Sequence, residues 1–158
     1  MLCWQKLQIY PEEEDIYHVI KFSSYKDYTI DKIRNYAACS AVIYKNNLAI
    51  RSDSKIIQTN ISFNKYDLYG LYLGLELANK LKAKNIKVES SNESIISIMN
   101  DSKYLYKFVS RVNNIESNIL SKIIELHKNF DLIMYSLITV ENNINVNNLS
   151  KDTLLQYL

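Results

Sequence analysis

The alternation of apolar and polar positions divides the chain into a strand-rich first third and helix–strand units after it. Apolar, β-rich runs of strand length cover residues 16–23 and 36–44. The Asn46-Asn47 pair is a turn signal that returns the chain into a third strand at residues 48–51, with an extension expected over 54–63. These runs predict a three-strand antiparallel meander.

The strongest helical pattern follows the meander. Between Tyr66 and Ala83 apolar residues recur every three or four positions, which predicts one helix with a single buried face. The remaining pattern predicts a strand at 85–90, helices at 93–99, 103–111 and 114–129, and a strand at 131–140. An Asn-rich loop at 142–148 is then expected to precede a final helix at 149–157.

This order of elements predicts an α/β fold, in which one mixed sheet is formed by the meander and the later βα units. We expect helices on both faces of that sheet. No internal repeat or linker interrupts the pattern, so we expect residues 1–158 to form a single domain. Within it, residues 1–15 are expected to be an N-terminal segment that ends in an exposed acidic turn.

Composition excludes several classes of protein. No apolar run approaches the roughly 18–20 residues that span a bilayer, so we expect no membrane partner. The cysteines, Cys3 and Cys39, form no CxxC pair, which argues against a disulfide scaffold or a thiolate zinc site. His18 and His127 lie too far apart in sequence to suggest a histidine metal site. The first residues lack the long apolar stretch of a signal peptide, so we expect an intracellular protein.

The charge balance is nearly even, with a formal net charge of +2. This value does not indicate a strongly basic nucleic-acid binder, so any basic surface must arise from local arrangement. The chain is rich in Ile, Asn, Lys and Tyr, which AT-rich codons favour. We therefore expect an AT-rich source genome, with a virus among the candidates.

Both glycines of the chain, Gly70 and Gly74, lie inside the strongest predicted helix. Glycine in a helix interior costs roughly 1 kcal/mol relative to alanine, so two on one face predict a close approach to the sheet or to another helix. They follow Asp67-Leu68, an acid and a leucine at the start of the helix, and Gly70 is the small residue three positions after the acid. This segment resembles the opening of the first long helix in the ribonuclease H family.

Two further segments resemble the same family. Residues 88–96 are similar to the strand end and helix start at which the family carries an Asp-Ser pair. Asn148 and Asp152, followed by Leu154 and Leu155, are similar to the family's final Asn-x-x-Ala-Asp-x-Leu-Ala helix. The resemblance covers about residues 16–157 and implies a ribonuclease H-like fold.

The resemblance also implies a site of four carboxylates around two Mg²⁺ ions, which this chain carries only in part. Ser23 stands where the first strand of the family has Asp, and Ser91 stands where the fourth strand has Asp. Asp67 and Asp152 are the remnant acids and the candidate metal ligands. Glu89, two residues before Ser91 on the same strand face, is a possible surrogate. We therefore expect no cofactor, or Mg²⁺ or Mn²⁺ if the site is active.

A basic stripe is the candidate nucleic-acid-binding segment. Lys103, Lys107 and Arg111 recur every four residues, and Tyr104 is interleaved among them. Cations on one helix face beside aromatic rings suit phosphate contact with stacking, although a solvated helix face in a Lys-rich chain has the same pattern. The resemblance places the stripe where family members carry a helix that contacts the nucleic-acid backbone.

Three functions remain open on the sequence. The first is a module that binds an RNA–DNA hybrid or duplex without cleaving it, because two of the four acids are replaced. The second is an active Mg²⁺- or Mn²⁺-dependent endoribonuclease with displaced acidic ligands. The third is a protein-interaction or structural module in a larger assembly.

Asp67 and Asp152 also suit an ordinary helix first turn, where acids complement the helix dipole.

Overall fold

The computed structural model describes residues 16–59, 66–101 and 115–158, and the strands in these ranges form one mixed five-stranded sheet. The strands are β1 (Tyr17–Tyr25), β2 (Tyr36–Lys45), β3 (Leu48–Gln58), β4 (Asn85–Ser90) and β5 (Leu132–Leu137). Their spatial order is β3-β2-β1-β4-β5. The first three strands are antiparallel neighbours, whereas β1, β4 and β5 run parallel. The predicted meander and the parallel βα units are confirmed.

Helices in the described ranges lie on both faces of this sheet, as predicted. They are α1 (Asp67–Lys80), α2 (Glu93–Asn100), α3 (Ile115–His127) and α4 (Ile144–Leu155). A single 3₁₀ turn, Glu141–Asn143, leads into α4. None of the described helices is both long enough and apolar enough to cross a membrane. The predicted helix at 103–111 lies outside the described residues.

The final helix begins five residues earlier than the sequence predicted. The pattern assigned residues 142–148 to a loop because asparagine favours turns over helix interiors. In the structure Asn143 and Asn147 instead direct their side chains to hydrogen-bond partners on the sheet and on each other. These tertiary contacts outweigh the weak intrinsic preference of asparagine, so the loop prediction was wrong.

Helix α1 packs closely on β1 and β2 because its two glycines face the sheet. A Cβ atom added to Gly70 would lie 2.8 Å from the backbone oxygen of Ser23, and one added to Gly74 would lie 2.5 Å from a methyl carbon of Ile20. Leu68, Leu71 and Leu75 of the same helix are fully buried. The close approach predicted from the glycines is confirmed, and it fixes the first turn of α1 beside the end of β1.

Helix α4 covers the opposite face of β1 and β2. Ile20 and Phe22 are fully buried in the core beneath α1, so the alternate residues Lys21 and Ser23 face the side that α4 covers. Leu154 of α4 is also fully buried, in a second apolar cluster. The carboxyl ends of β1 and β4 therefore lie between the starts of α1 and α4.

Candidate functional site

A cluster of small polar side chains lies where β1 and β4 end. Because these two strands are parallel neighbours, their carboxyl ends meet at the same edge of the sheet. Ser23 and Ser24 come from the end of β1, and Ser91 and Asn92 follow β4. The starts of α1 and α4 close the cluster from the two faces of the sheet, with Asp67 from the first and Asn143 and Asn147 beside the second.

One half of the cluster is a neutral hydrogen-bond network. The Ser23 hydroxyl donates to Asn147 Oδ1 at 2.5 Å. The Asn143 side-chain amide lies within donating distance of the Phe22 carbonyl oxygen (3.2 Å), Asn147 Oδ1 (3.3 Å) and Ser91 Oγ (3.4 Å). Ser23 is only 7% exposed and Asn143 only 1%. Hydroxyl and amide groups thus hydrogen-bond to one another between the ends of β1 and β4 and the start of α4 without any formal charge, and Asn143 Oδ1 alone among their buried atoms has no partner within the described residues.

The other half of the cluster holds one carboxylate. Ser24 donates a hydrogen bond to Asp67 Oδ1, and the Asn92 side-chain amide donates to Asp67 Oδ2 at 2.6 Å. Asn92 is itself fixed, because its Oδ1 accepts from the backbone N–H of Ile95 and caps α2 at 3.1 Å. Burial raises the pKa of the Asp67 carboxyl, while the two hydrogen bonds act to lower it. Both oxygens of Asp67 are therefore engaged by neighbours within the protein.

The predicted site residues separate into two groups in the structure. Ser23, Ser91 and Asp67 all belong to the cluster. Asp152 is exposed, and it lies five residues beyond Asn147 on α4, so their side chains point about 140° apart around the helix. Glu89 is partly exposed and lies directly across from Lys21 of β1. The structure therefore brings Asn147, and not Asp152, to Ser23.

Sequence reasoning missed four members of the cluster. Ser24 was overlooked beside Ser23, and Asn92 was overlooked beside Ser91. Asn143 and Asn147 were assigned to a loop, although their spacing of four residues fits one helix face.

The basic stripe at Lys103, Tyr104, Lys107 and Arg111 lies outside the described residues. Its role as a nucleic-acid-binding segment stays a prediction.

The donor groups of the cluster do not fit a pair of divalent cations. Mg²⁺ and Mn²⁺ prefer anionic oxygen ligands, and this site offers serine hydroxyls, asparagine amides and one carboxylate that already accepts two hydrogen bonds. Across residues 16–59, 66–101 and 115–158, no three His, Cys, Asp or Glu side chains lie close enough together to hold a metal ion.

Comparison with known proteins identifies the family. The profile of the reverse transcriptase-like family matches residues 27–153, which is most of the chain. The chain belongs to this family of ribonuclease H-like proteins. No curated protein sequence matches it.

Solved ribonuclease H structures share the fold at low sequence identity. The N-terminal ribonuclease H domain of a Mycobacterium tuberculosis protein is 18% identical, with a TM-score of 0.68 over 89% of this chain and 95% of that one. Ribonuclease H1 of Halobacterium salinarum is 14% identical, with a TM-score of 0.69 over 89% and 98%. A ribonuclease H1 from compost, solved in complex with an RNA/DNA hybrid, is 18% identical, with a TM-score of 0.64 over 85% and 94%. The predicted ribonuclease H-like fold is confirmed.

Proposed function

We propose that this ribonuclease H-like chain binds an RNA–DNA hybrid or a related duplex at the polar cluster and does not cleave it. The observation that carries the proposal is the neutral network of Ser23, Ser91, Asn143 and Asn147. It occupies the sheet edge at which the family resemblance places acidic metal ligands.

We assign Asn147, rather than Asp152, to the fourth carboxylate position of the family. Asn143, Val146, Asn147, Leu149 and Ser150 have the spacing of the family pattern Asn-x-x-Ala-Asp-x-Leu-Ala. In that register Asn147 takes the place of the acid, and its contact with Ser23 supports the assignment. Three of the four acidic positions are then neutral.

The loss of three carboxylates has a direct electrostatic consequence. Two divalent cations within about 4 Å of each other need several anionic ligands to offset their mutual repulsion. With Asp67 as the single remaining acid, two cations would be held by one negative charge. The neutral positions therefore argue against two-metal hydrolysis at this site.

The support for nucleic acid as the partner is the fold. The compost ribonuclease H1 binds an RNA/DNA hybrid in its solved structure, and this chain shares its architecture. The predicted basic stripe adds a second reason to expect phosphate contacts. Exchange of the acids for neutral residues also lowers the electrostatic cost of bringing phosphates to this edge.

The experiment uses one labelled RNA–DNA hybrid, read for retention by anisotropy and for cleavage on a denaturing gel. The wild-type chain is tested in EDTA, Mg²⁺ and Mn²⁺, beside Asp67→Asn and the matched control Asp152→Asn. The proposal predicts salt-sensitive retention without cleavage. Cleavage by the wild type that Asp67→Asn abolishes would instead show an active nuclease. A hybrid that is neither retained nor cut would point to the protein-interaction function.

A further inference from the structure

Lys21 places a positive charge beside the neutral network. It lies two residues before Ser23, so the two side chains extend from the same face of β1. Its ammonium group donates to the backbone oxygen of Asn142 at 2.9 Å, and Asn142 directly precedes the central Asn143. The ammonium group is thereby held next to the start of α4, at the same sheet edge as the cluster.

Two neighbouring strands define the position of this lysine. Its Nζ lies 5.3 Å from the centre of the Tyr44 ring on β2, a geometry in which the ring face attracts the cation. On β4 its register partner is Glu89, whose carboxylate offers partial compensation of the charge. An ammonium group has three donors, and the Asn142 oxygen accepts one of them. Lys21 is partly exposed, so solvent or a ligand can reach it.

The cluster has one carboxylate and a nearby ammonium group, so its charge differs from that of a site built from several carboxylates. A site rich in carboxylates repels phosphate until metal ions neutralise it. Here the three neutral positions remove that repulsion, and Asp67 is partly buried with both oxygens occupied. The Lys21 ammonium group then attracts a phosphate directly, although the negative charge of Glu89 partly offsets this attraction.

We propose that Lys21 contacts a backbone phosphate of the bound nucleic acid, so that binding at this edge needs no divalent cation. The inference rests on the proposed function, because it names how the nucleic acid is held at the same cluster. It adds to the proposed function that one fixed ammonium group attracts the phosphate, in place of metal ions.

The test measures binding of a labelled RNA–DNA hybrid in EDTA over a series of salt concentrations. The variants are Lys21→Gln, Lys21→Arg and, as a matched control, Lys84→Gln. Lys84 is exposed and precedes the start of β4, about 20 Å from the cluster by strand length. Lys21→Met, which keeps most of the apolar stem without the charge, is measured as a second neutral variant. Thermal unfolding of each variant checks that it is folded.

The loss of one phosphate contact sets the expected size of the effect. Lys21→Gln and Lys21→Met should reduce the slope of log affinity against log salt by about 0.9, which is about 8-fold in affinity near 0.1 M salt. Lys21→Arg should stay within about two-fold of wild type because it keeps the charge. Lys84→Gln should match wild type, and added Mg²⁺ should not strengthen wild-type binding.

Several results would overturn the inference while leaving nucleic-acid binding intact. These are an unchanged slope in both neutral variants, an equal loss in Lys84→Gln, or wild-type binding that requires Mg²⁺. If the wild type does not retain the hybrid at any salt concentration, the proposed function fails and the assignment of Lys21 fails with it.

Discussion

Two asparagines of the polar cluster should respond in opposite ways to the same substitution. Asn147 uses its side-chain oxygen as an acceptor, from Ser23 at 2.5 Å and from Asn143 at 3.3 Å. Asn143 uses its side-chain nitrogen as a donor, within reach of three acceptor oxygens. A change from Asn to Asp replaces that nitrogen by an oxygen and adds a negative charge. The substitution therefore preserves the hydrogen bonds that Asn147 accepts. At Asn143 it replaces a donor by an acceptor, so each attractive contact of that nitrogen becomes a repulsive contact between two oxygens.

The structure gives the size of each effect. In Asn147→Asp both hydrogen bonds remain and become charge-assisted, which offsets the desolvation of a partly exposed carboxylate, so stability should change by no more than about 1 kcal/mol. In Asn143→Asp the new carboxylate is 1% exposed and faces the Phe22 carbonyl oxygen. Its other oxygen takes the position of Asn143 Oδ1, which has no hydrogen-bond partner in the part of the chain that the structure describes. We expect destabilisation of about 3–5 kcal/mol.

Urea unfolding followed by circular dichroism measures both changes. For a domain of this length, each kcal/mol also shifts the midpoint of thermal unfolding by about 2–4 °C, so a difference of at least about 2 kcal/mol should separate the two variants by at least about 4–8 °C. Equal destabilisation by the two substitutions would refute the donor and acceptor roles assigned here. A larger loss in Asn147→Asp than in Asn143→Asp would refute them as well.

Two further predictions concern the packing and the titration of the site. Gly70→Ala should destabilise the protein by about 1–2 kcal/mol in urea unfolding. The new methyl group would gain about 1 kcal/mol of helix propensity, but it would overpack against the Ser23 backbone oxygen, which lies 2.8 Å from the added Cβ atom. Increased stability of this variant would contradict the close packing of α1 on the sheet. Burial raises the pKa of Asp67 in the folded state, so the folded protein binds that proton more tightly than the unfolded chain. The free energy of unfolding should therefore decrease as pH rises above the ordinary value of 3.8, and Asp67→Asn should flatten this decrease; an unchanged pH profile would refute the assignment.

Local sequence signals predicted the parts of the site that are encoded in short patterns. The glycine pair of α1 indicated a close approach of that helix to its neighbours, and Asp67 was identified because residues 67–70 resemble the start of the family's first long helix. Ser23 and Ser91 were identified because the family resemblance places acidic residues at these two strand ends. Each of these inferences depends on spacing along one element, which the sequence carries directly.

The rest depended on contacts between distant segments. Asn143 and Asn147 lie in a stretch with loop-like composition, and the helix there depends on partners that are far away in the sequence. The proximity of Lys21 to the start of α4 spans 121 residues and leaves no local pattern. Asp152 matched the expected residue type, but rotation around α4 separates it from Asn147.

The central claim is that the polar cluster does not hold the metal ions that hydrolysis would need. Its most direct test is a calorimetric titration of the protein with Mg²⁺ and with Mn²⁺ in the absence of nucleic acid. The account predicts no saturable binding by the wild type in the millimolar range, because one engaged carboxylate cannot hold the cations. The variant Ser23→Asp/Ser91→Asp/Asn147→Asp, which restores four acids, should bind both ions if it folds. Saturable wild-type binding of Mg²⁺ or Mn²⁺ that is lost in Asp67→Asn would contradict the claim.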